Sequence, residues 1–210
     1  MAGARRVAES GLVVGSAGNL SLRAGERVLI TCGGAELDVM GNEDCVEVGV
    51  SDSVLPEEHR SGRQPSSELA LHLAIYAATD AGAIVHTHSH FATVLSTVLD
   101  ELPAIHYTIN HFGGPVRVAR YETFGTEDLA ESVIEALRDR SGALMANHGA
   151  VVIAGSVREA VGKAILLEWL ASVHYHASVM GSPNILTEAE LEAVRDRARR
   201  LRNGVQAGTR

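Results

Sequence analysis

Hydrophobic and polar positions along the chain change period several times, and each change marks an element. Ser21–Ile30 (SLRAGERVLI) alternates around Arg23, Gly25 and Arg27, the pattern of two short strands joined in a hairpin. Gly33-Gly34 follows at once and predicts a loop or tight turn, because glycine gives the backbone its widest freedom. The polar stretch Asp52–Gln64, with Pro56 and Gly62, is expected to be an exposed connection. It leads into Pro65-Ser66-Ser67, after which Leu69, Leu73 and Tyr76, with Ala70, Ala74 and Ala77, predict a helix with a hydroxyl-rich start.

After Gly82, Ala83–His88 (AIVHTH) is short, β-rich and period-two, hence a strand; Thr93–Val98 continues as apolar helix or loop, which periodicity does not separate. Thr126 caps a predicted helix, Glu127–Arg140, with acids in its first turn and arginines in its last, as the helix dipole favours. Ala143–Ala154 (ALMANHGAVVIA) predicts strand, turn, strand around Asn147-His148-Gly149. Ser156 and Glu159 form a capping box for a long helix reaching about Met180, and Thr187 with Glu190 forms another for a final arginine-rich helix. With no internal repeat and no linker, this mixture predicts one domain over residues 1–210, an α/β or α+β layered sheet with helices packed on it.

Composition narrows the function. The 210 residues suffice for a buried core, and 46% hydrophobic with 21% charged residues excludes wholesale disorder. No apolar run reaches bilayer-crossing length and Met1–Ser10 lacks an apolar secretory core, so no membrane partner and a cytoplasmic location are expected. A formal net charge of −8 argues against a nucleic-acid partner. Cys32 and Cys45 match no CxxC pattern, which argues against a disulfide scaffold or a cysteine zinc ribbon. What stands out is 10 His and a single lysine, Lys163.

Spacing sorts the histidines. His86 and His88 lie two apart on a predicted strand, so their side chains share a face and converge, as two ligands of one metal must. The alternative is a solvent-facing pair, which the apolar flanks Ala83–Val85, Phe91, Val94 and Leu95 disfavour. His174 and His176 have the same spacing on a helix, where two residues subtend roughly 200°, so they point apart. His148, in a polar turn between apolar strands, is a third candidate ligand, and His90 extends the strand alternation; turn histidines without a role are the competing reading.

Glu68, in the first turn of its helix, is the candidate carboxylate ligand, against a plain complement to the helix dipole. His72 shares its face and offers another ligand or a hydrogen-bond partner to it. One carboxylate with three imidazoles suits zinc, with manganese or cobalt as alternatives. Ser66-Ser67 at a helix start offers hydroxyls and backbone N–H groups to a phosphate, joined by Asn19 and Gly33-Gly34; an ordinary serine cap and ordinary turns are the alternative. Adjacency links the two sites: a metal on Glu68 would lie beside that cradle. The sole lysine falls on a long amphipathic helix, where a solvated or interface role is expected.

Four segments, Gly18-Asn19-Leu20-Ser21-Leu22-Arg23, Pro65-Ser66-Ser67-Glu68, Ile84-Val85-His86-Thr87-His88 and Asn147-His148-Gly149-Ala150, stand in the order of the class II aldolase/adducin family. The chain resembles that family from about Ser16 to Gly181, and Pro103–Tyr107 (PAIHY) and Tyr121–Thr126 (YETFGT) resemble its sugar-phosphate aldolase branch. The resemblance implies a three-layer α/β/α sandwich around a mainly antiparallel central sheet, assembled as a homotetramer with active sites between subunits. It implies zinc on Glu68, His86, His88 and His148, leaving His72 and His90 in supporting or structural roles, and a phosphate site of Gly18, Asn19, Gly33, Gly34, Ser66 and Ser67. By the same resemblance Glu68 is the acid/base, Tyr107 the proton donor to the aldehyde, and Phe124 a wall of the aldehyde pocket.

The implied reaction is reversible cleavage of a ketose 1-phosphate of the fuculose-1-phosphate type to dihydroxyacetone phosphate and a small aldehyde. A ribulose-5-phosphate 4-epimerase, a methylthioribulose-1-phosphate dehydratase and a decarboxylase share the histidines; the epimerase branch resembles an aspartate where Glu68 stands. A non-enzymatic adducin-like scaffold typically loses the ligands, and here all four positions are filled. Two positions depart from the aldolase pattern: the family's phosphate-loop threonine is Gly33, and Leu201–Arg210 contains no tyrosine where the aldolases carry one reaching over a site.

Overall fold

A computed structural model describes residues 1–51 and 62–207. In chain order its elements are α1 (Ala2–Glu9), β1 (Gly18–Ala24), β2 (Arg27–Thr31), β3 (Cys45–Gly49), α2 (Leu69–Ala78), β4 (Ala83–Thr87), α3 (His90–Ser96), β5 (Glu101–Leu102), β6 (Val116–Ala119), α4 (Glu127–Ala136), β7 (Gly142–Met145), β8 (Gly149–Ala154), α5 (Val157–Met180) and α6 (Glu188–Ala207). Tyr107–Phe112 adds a run of 3-10 helix between β5 and β6. The strands form one sheet in the order β3-β2-β1-β4-β8-β7-β6-β5, antiparallel throughout except for the parallel β6–β7 pair.

Both faces of this sheet are covered, which explains why β4 and β7 are buried at every residue. Val85, Val152 and Leu144 point into a core built with α1, α3 and α5, while their neighbours Ile84, Val151 and Ala143 point into a second core built with α2 and α4. Period-two alternation thus divides each central strand between two apolar layers, and the result is the expected α/β/α sandwich. No described helix is long and apolar enough to cross a membrane.

Local signals and structure agree for the β1–β2 hairpin, for β7 and β8, and for the caps of α4, α5 and α6. Thr126 Oγ1 accepts from Leu129 N at 3.2 Å; Ser156 Oγ accepts from Glu159 N at 3.3 Å, the serine half of its expected capping box, while the Glu159 carboxylate faces Lys163 instead. Thr187 and Glu190 bond reciprocally as a full capping box. Thr93–Ser96 fall in α3, and Thr97 and Val98 form the turn that ends it.

Three expectations change. Helix α2 begins at Leu69, so Ser66-Ser67 form the turn before it: Ser66 N bonds Thr31 O at 3.0 Å, and Cys32 bridges Pro65, extending the β2 edge into this segment. Helix α4 ends at Ala136, short of its arginines; Asp139 takes φ 58°, and Arg117 Nη1 donates to the carbonyls of Ala136 and Arg138 instead. Lys163 is largely covered rather than solvated, donating to Ser141 Oγ at 2.9 Å and so tying α5 to the sheet. Residues 52–61 of the expected exposed connection lie outside the described residues, and Gly62–Gln64 are exposed.

Candidate active site

The site lies at the end of the central strands where β1, β4 and β8 meet. His86 pairs across the sheet with Asn19 on one side and Val151 on the other, so its ring stands in the α2 layer. His88 follows β4 and turns the same way: the Nε2 atoms of His86 and His88 are 3.0 Å apart. His148 joins them from the β7–β8 turn, made possible by Asn147 at φ 55°, a conformation asparagine tolerates. Next to it, a Cβ on Gly149 would collide with the carbonyl oxygen of Thr87, so only glycine lets β8 approach β4 here. The three rings stand edge-on to one another, with centroids 4.8–4.9 Å apart, and each offers a ligand atom within 4.8 Å of the others.

Glu68, the residue preceding α2, completes the group. Its Oε2 is 3.0 Å from His86 Nε2 and its Oε1 is 3.3 Å from His148 Nε2. Glu68 is 5% exposed, and Oε1 has no hydrogen-bond partner among the described residues. His86 Nδ1 lies 3.0 Å from the carbonyl oxygen of Ala150, which can only accept, so Nδ1 carries the hydrogen and Nε2 turns its lone pair inward. A buried carboxylate and inward-facing imidazole nitrogens then converge on one point. A positive charge must stand among them, either a proton shared with His86 or a cation that replaces it. The donor set fits zinc.

Electrostatics keep the ligands available. Burial pushes the His88 pKa down to about 4, with the charges of His86 and His148 adding to it. Burial and His86 lower His148 as well. Burial alone would raise the Glu68 carboxyl, but the facing His86, the hydrogen bond from Asn19 and His148 together hold it well below the usual carboxylate range. Glu68 is therefore ionised and the two flanking imidazoles neutral near pH 7.

A cleft of about 350 Å³ opens over this group. Gly18, Asn19, Gly33, Gly34, Ser66 and Ser67 all line it, with Glu68, His88, His148 and Phe124. Ser66 Oγ accepts from Glu68 N at 3.3 Å, and the backbone of Gly125 presses on Ser67, which brings Phe124, 64% exposed, to the cleft. Tyr107 is elsewhere: it is half exposed and lines a separate cleft beside α6 with Arg195 and Arg199. His90 is exposed at the start of α3, packed edge-on to Phe91, outside the group. His72 reaches Asn19 rather than the Glu68 carboxylate. His174 is buried and His176 exposed, the divergence their helical spacing implies. Cys32 and Tyr121 also line the cleft; their only sequence signals are adjacency to Gly33 and membership of YETFGT.

Fold and histidine cluster together point to a known enzyme-bearing family. Residues 1–175 match the Class II Aldolase and Adducin N-terminal domain, and the chain belongs to the class II aldolase/adducin family. It is 38% identical over 191 residues to a 5-deoxy-D-ribulose 1-phosphate aldolase of Bacillus thuringiensis serovar kurstaki, covering 90% of this chain and 88% of that one. It is 37% identical over 193 residues to a 5-methylthioribulose-1-phosphate/5-deoxyribulose-1-phosphate aldolase of Rhodospirillum rubrum, covering 91% and 85%. A solved L-fuculose 1-phosphate aldolase superposes with a TM-score of 0.86 at 33% identity, over 93% of this chain and 92% of that one. Membership and likeness support a lyase of the aldolase class.

Proposed function

We propose that the protein is a metal-dependent aldolase that reversibly cleaves a ketose 1-phosphate to dihydroxyacetone phosphate and a small aldehyde. One observation carries this reading: three imidazoles cluster, with the ionised Glu68 carboxylate against two of them, in the cleft that Ser66-Ser67 and Gly33-Gly34 also line. Among ketose 1-phosphates, 5-deoxyribulose 1-phosphate is preferred over fuculose 1-phosphate, because the relatives at 38% and 37% identity are aldolases of the former. Its cleavage between C3 and C4 gives dihydroxyacetone phosphate and acetaldehyde, and the small apolar aldehyde suits a wall made by Phe124.

Glu68, His86, His88 and His148 would hold the metal, zinc by donor type. When bound it supplies Lewis-acid stabilisation for the negative charge that develops on the ketone half. The turn before α2 holds the phosphate through the Ser66 and Ser67 hydroxyls and the backbone of Gly18, Gly33 and Gly34. Glu68, ionised and at the floor of the cleft, carries the proton to and from C3. Tyr107 would serve the aldehyde oxygen from a second copy of the chain, since its own subunit turns it to another cleft; this is the reason to propose a homotetramer with shared sites. Incubation with 5-deoxyribulose, fuculose and ribulose phosphates, with product identification, tests the reading. Release of dihydroxyacetone phosphate supports it; epimerised or dehydrated products, or no turnover by metal-loaded protein, refute it.

A further inference from the structure

Beneath the cleft, five buried polar side chains join in one line, and the site described so far uses only the two members nearest the cleft, Glu68 and Asn19. Asn19 Nδ2 donates to Glu68 Oε2 at 2.9 Å, and His72 Nε2 lies 2.6 Å from Asn19 Oδ1. Ser21 Oγ lies 2.6 Å from His72 Nδ1 and 2.8 Å from the Tyr76 hydroxyl, which the backbone of Ile84 also bonds. None of the five side chains' residues is more than 6% exposed. Their placement follows from two periods: Asn19 and Ser21 share a face of β1, while Glu68, His72 and Tyr76, four apart, share a stripe along α2.

Each link has a single direction. The ionised Glu68 only accepts, so Asn19 must present its amide nitrogen there and its oxygen to His72. That oxygen also only accepts, so His72 Nε2 carries the hydrogen. Burial keeps the imidazole neutral, its pKa pushed down to about 3 with His86 adding to the effect, which leaves Nδ1 to accept from the Ser21 hydroxyl. Ser21 in turn accepts from Tyr76. Every hydrogen in the line points towards Glu68.

We propose that His72 is a positioning residue for Glu68: it locks the Asn19 amide in one orientation, so that Glu68 Oε2 is held by Asn19 and Oε1, the oxygen without a hydrogen-bond partner, is left to face the metal position beside His148. Without the His72 donor the Asn19 amide is free to turn over and set its oxygen against the carboxylate, which swings Glu68 out of register. The inference rests on the reading of Glu68 as ligand and acid/base.

The test compares His72→Leu, which removes the donor, with His72→Gln, whose amide nitrogen can replace it. In the Co²⁺-loaded protein, His72→Leu should alter the visible absorption of the ion and weaken Zn²⁺ in chelator competition by about 10- to 100-fold, the usual effect of losing a residue that orients a ligand. With 5-deoxyribulose 1-phosphate its kcat should fall more than its KM rises, and His72→Gln should recover most of each loss. An unchanged cobalt spectrum and zinc affinity in folded His72→Leu, or a His72→Gln as impaired as His72→Leu at equal thermal stability, overturns the proposal. Nitrogen-15 NMR of the metal-free wild type covers the case in which His72→Leu does not fold. A hydrogen on Nε2 and a bare Nδ1 are expected, and the opposite tautomer overturns the proposal. Wild-type protein that cleaves no ketose phosphate defeats the proposed function, while the cobalt and NMR readouts still decide the role of His72.

Discussion

Replacing Gly18 with alanine probes how tightly the cleft is built onto the ligand strand. Gly18 opens β1 at φ +110°, a conformation residues with a Cβ rarely adopt, and forcing it costs about 1–3 kcal/mol. The new Cβ would also stand 2.7 Å from Val13 Cγ1 and 3.0 Å from the carbonyl oxygen of His86, the backbone of a proposed ligand. Crowding of this kind adds about 1–3 kcal/mol, because β1 and β4 are paired here and neither can yield alone. The sum, about 2–6 kcal/mol, corresponds to a melting temperature lower by roughly 4–24 °C for a chain of this size. Gly25, in the β1–β2 turn, provides the control. Its φ is +61°, nothing lies within 4 Å of an added Cβ, and Gly25→Ala should cost only about 1 kcal/mol. Thermal and urea unfolding of both chelator-treated variants measures the difference, and zinc competition reads its effect on the site. Equal losses in the two variants, with zinc affinity untouched in Gly18→Ala, would refute the reasoning from close approach.

Further outcomes follow from the same geometry. Glu68→Gln should retain metal yet lose exchange of the C3 proton of dihydroxyacetone phosphate with solvent, followed by NMR in deuterium oxide; unchanged exchange removes Glu68 as the acid/base. In metal-free protein, burial holds His88 at about 4 and His72 at about 3, against 6.5 ordinarily, so the unfolded chain binds more protons between those values. Stability should therefore fall as the pH drops from about 6.5 towards about 4, and a urea midpoint flat over that range contradicts the assignment. Glu168 accepts from the backbone N–H groups of Phe91 and Ala92 at 2.8 and 2.9 Å, capping the helix that directly follows His88. Glu168→Ala should cost about 0.5–2 kcal/mol, and a melting temperature equal to wild type would show the cap to be idle.

What was legible in the sequence was what is encoded locally. The period-two run AIVHTH places His86 and His88 on one face whatever else the chain does, and the same argument separates them from His174 and His176. The caps of Thr126, Ser156 and Thr187 need only residues three apart, and each is where its motif puts it. The errors concern partners distant in sequence. Pro65-Ser66 reads as a helix start, yet pairing with the end of β2 delays α2 to Leu69. Arg138 and Arg140 look like a helix end, but Arg117 from β6 takes the last carbonyls. His72 shares a helix stripe with Glu68, and only the β1 register shows that Asn19 stands between them. Lys163 finds Ser141 for the same reason. Tyr107 is half exposed and away from the metal group in its own chain, a placement no local pattern carries.

The central claim is that Glu68, His86, His88 and His148 hold a divalent metal on which cleavage depends. Its most direct test is dihydroxyacetone phosphate release from 5-deoxyribulose 1-phosphate, measured on purified protein of known metal content before chelation, after chelation and after zinc is restored. About one metal ion per chain, release lost with the chelator and recovered with zinc are the predicted results. Cleavage that persists in metal-free protein would contradict the account.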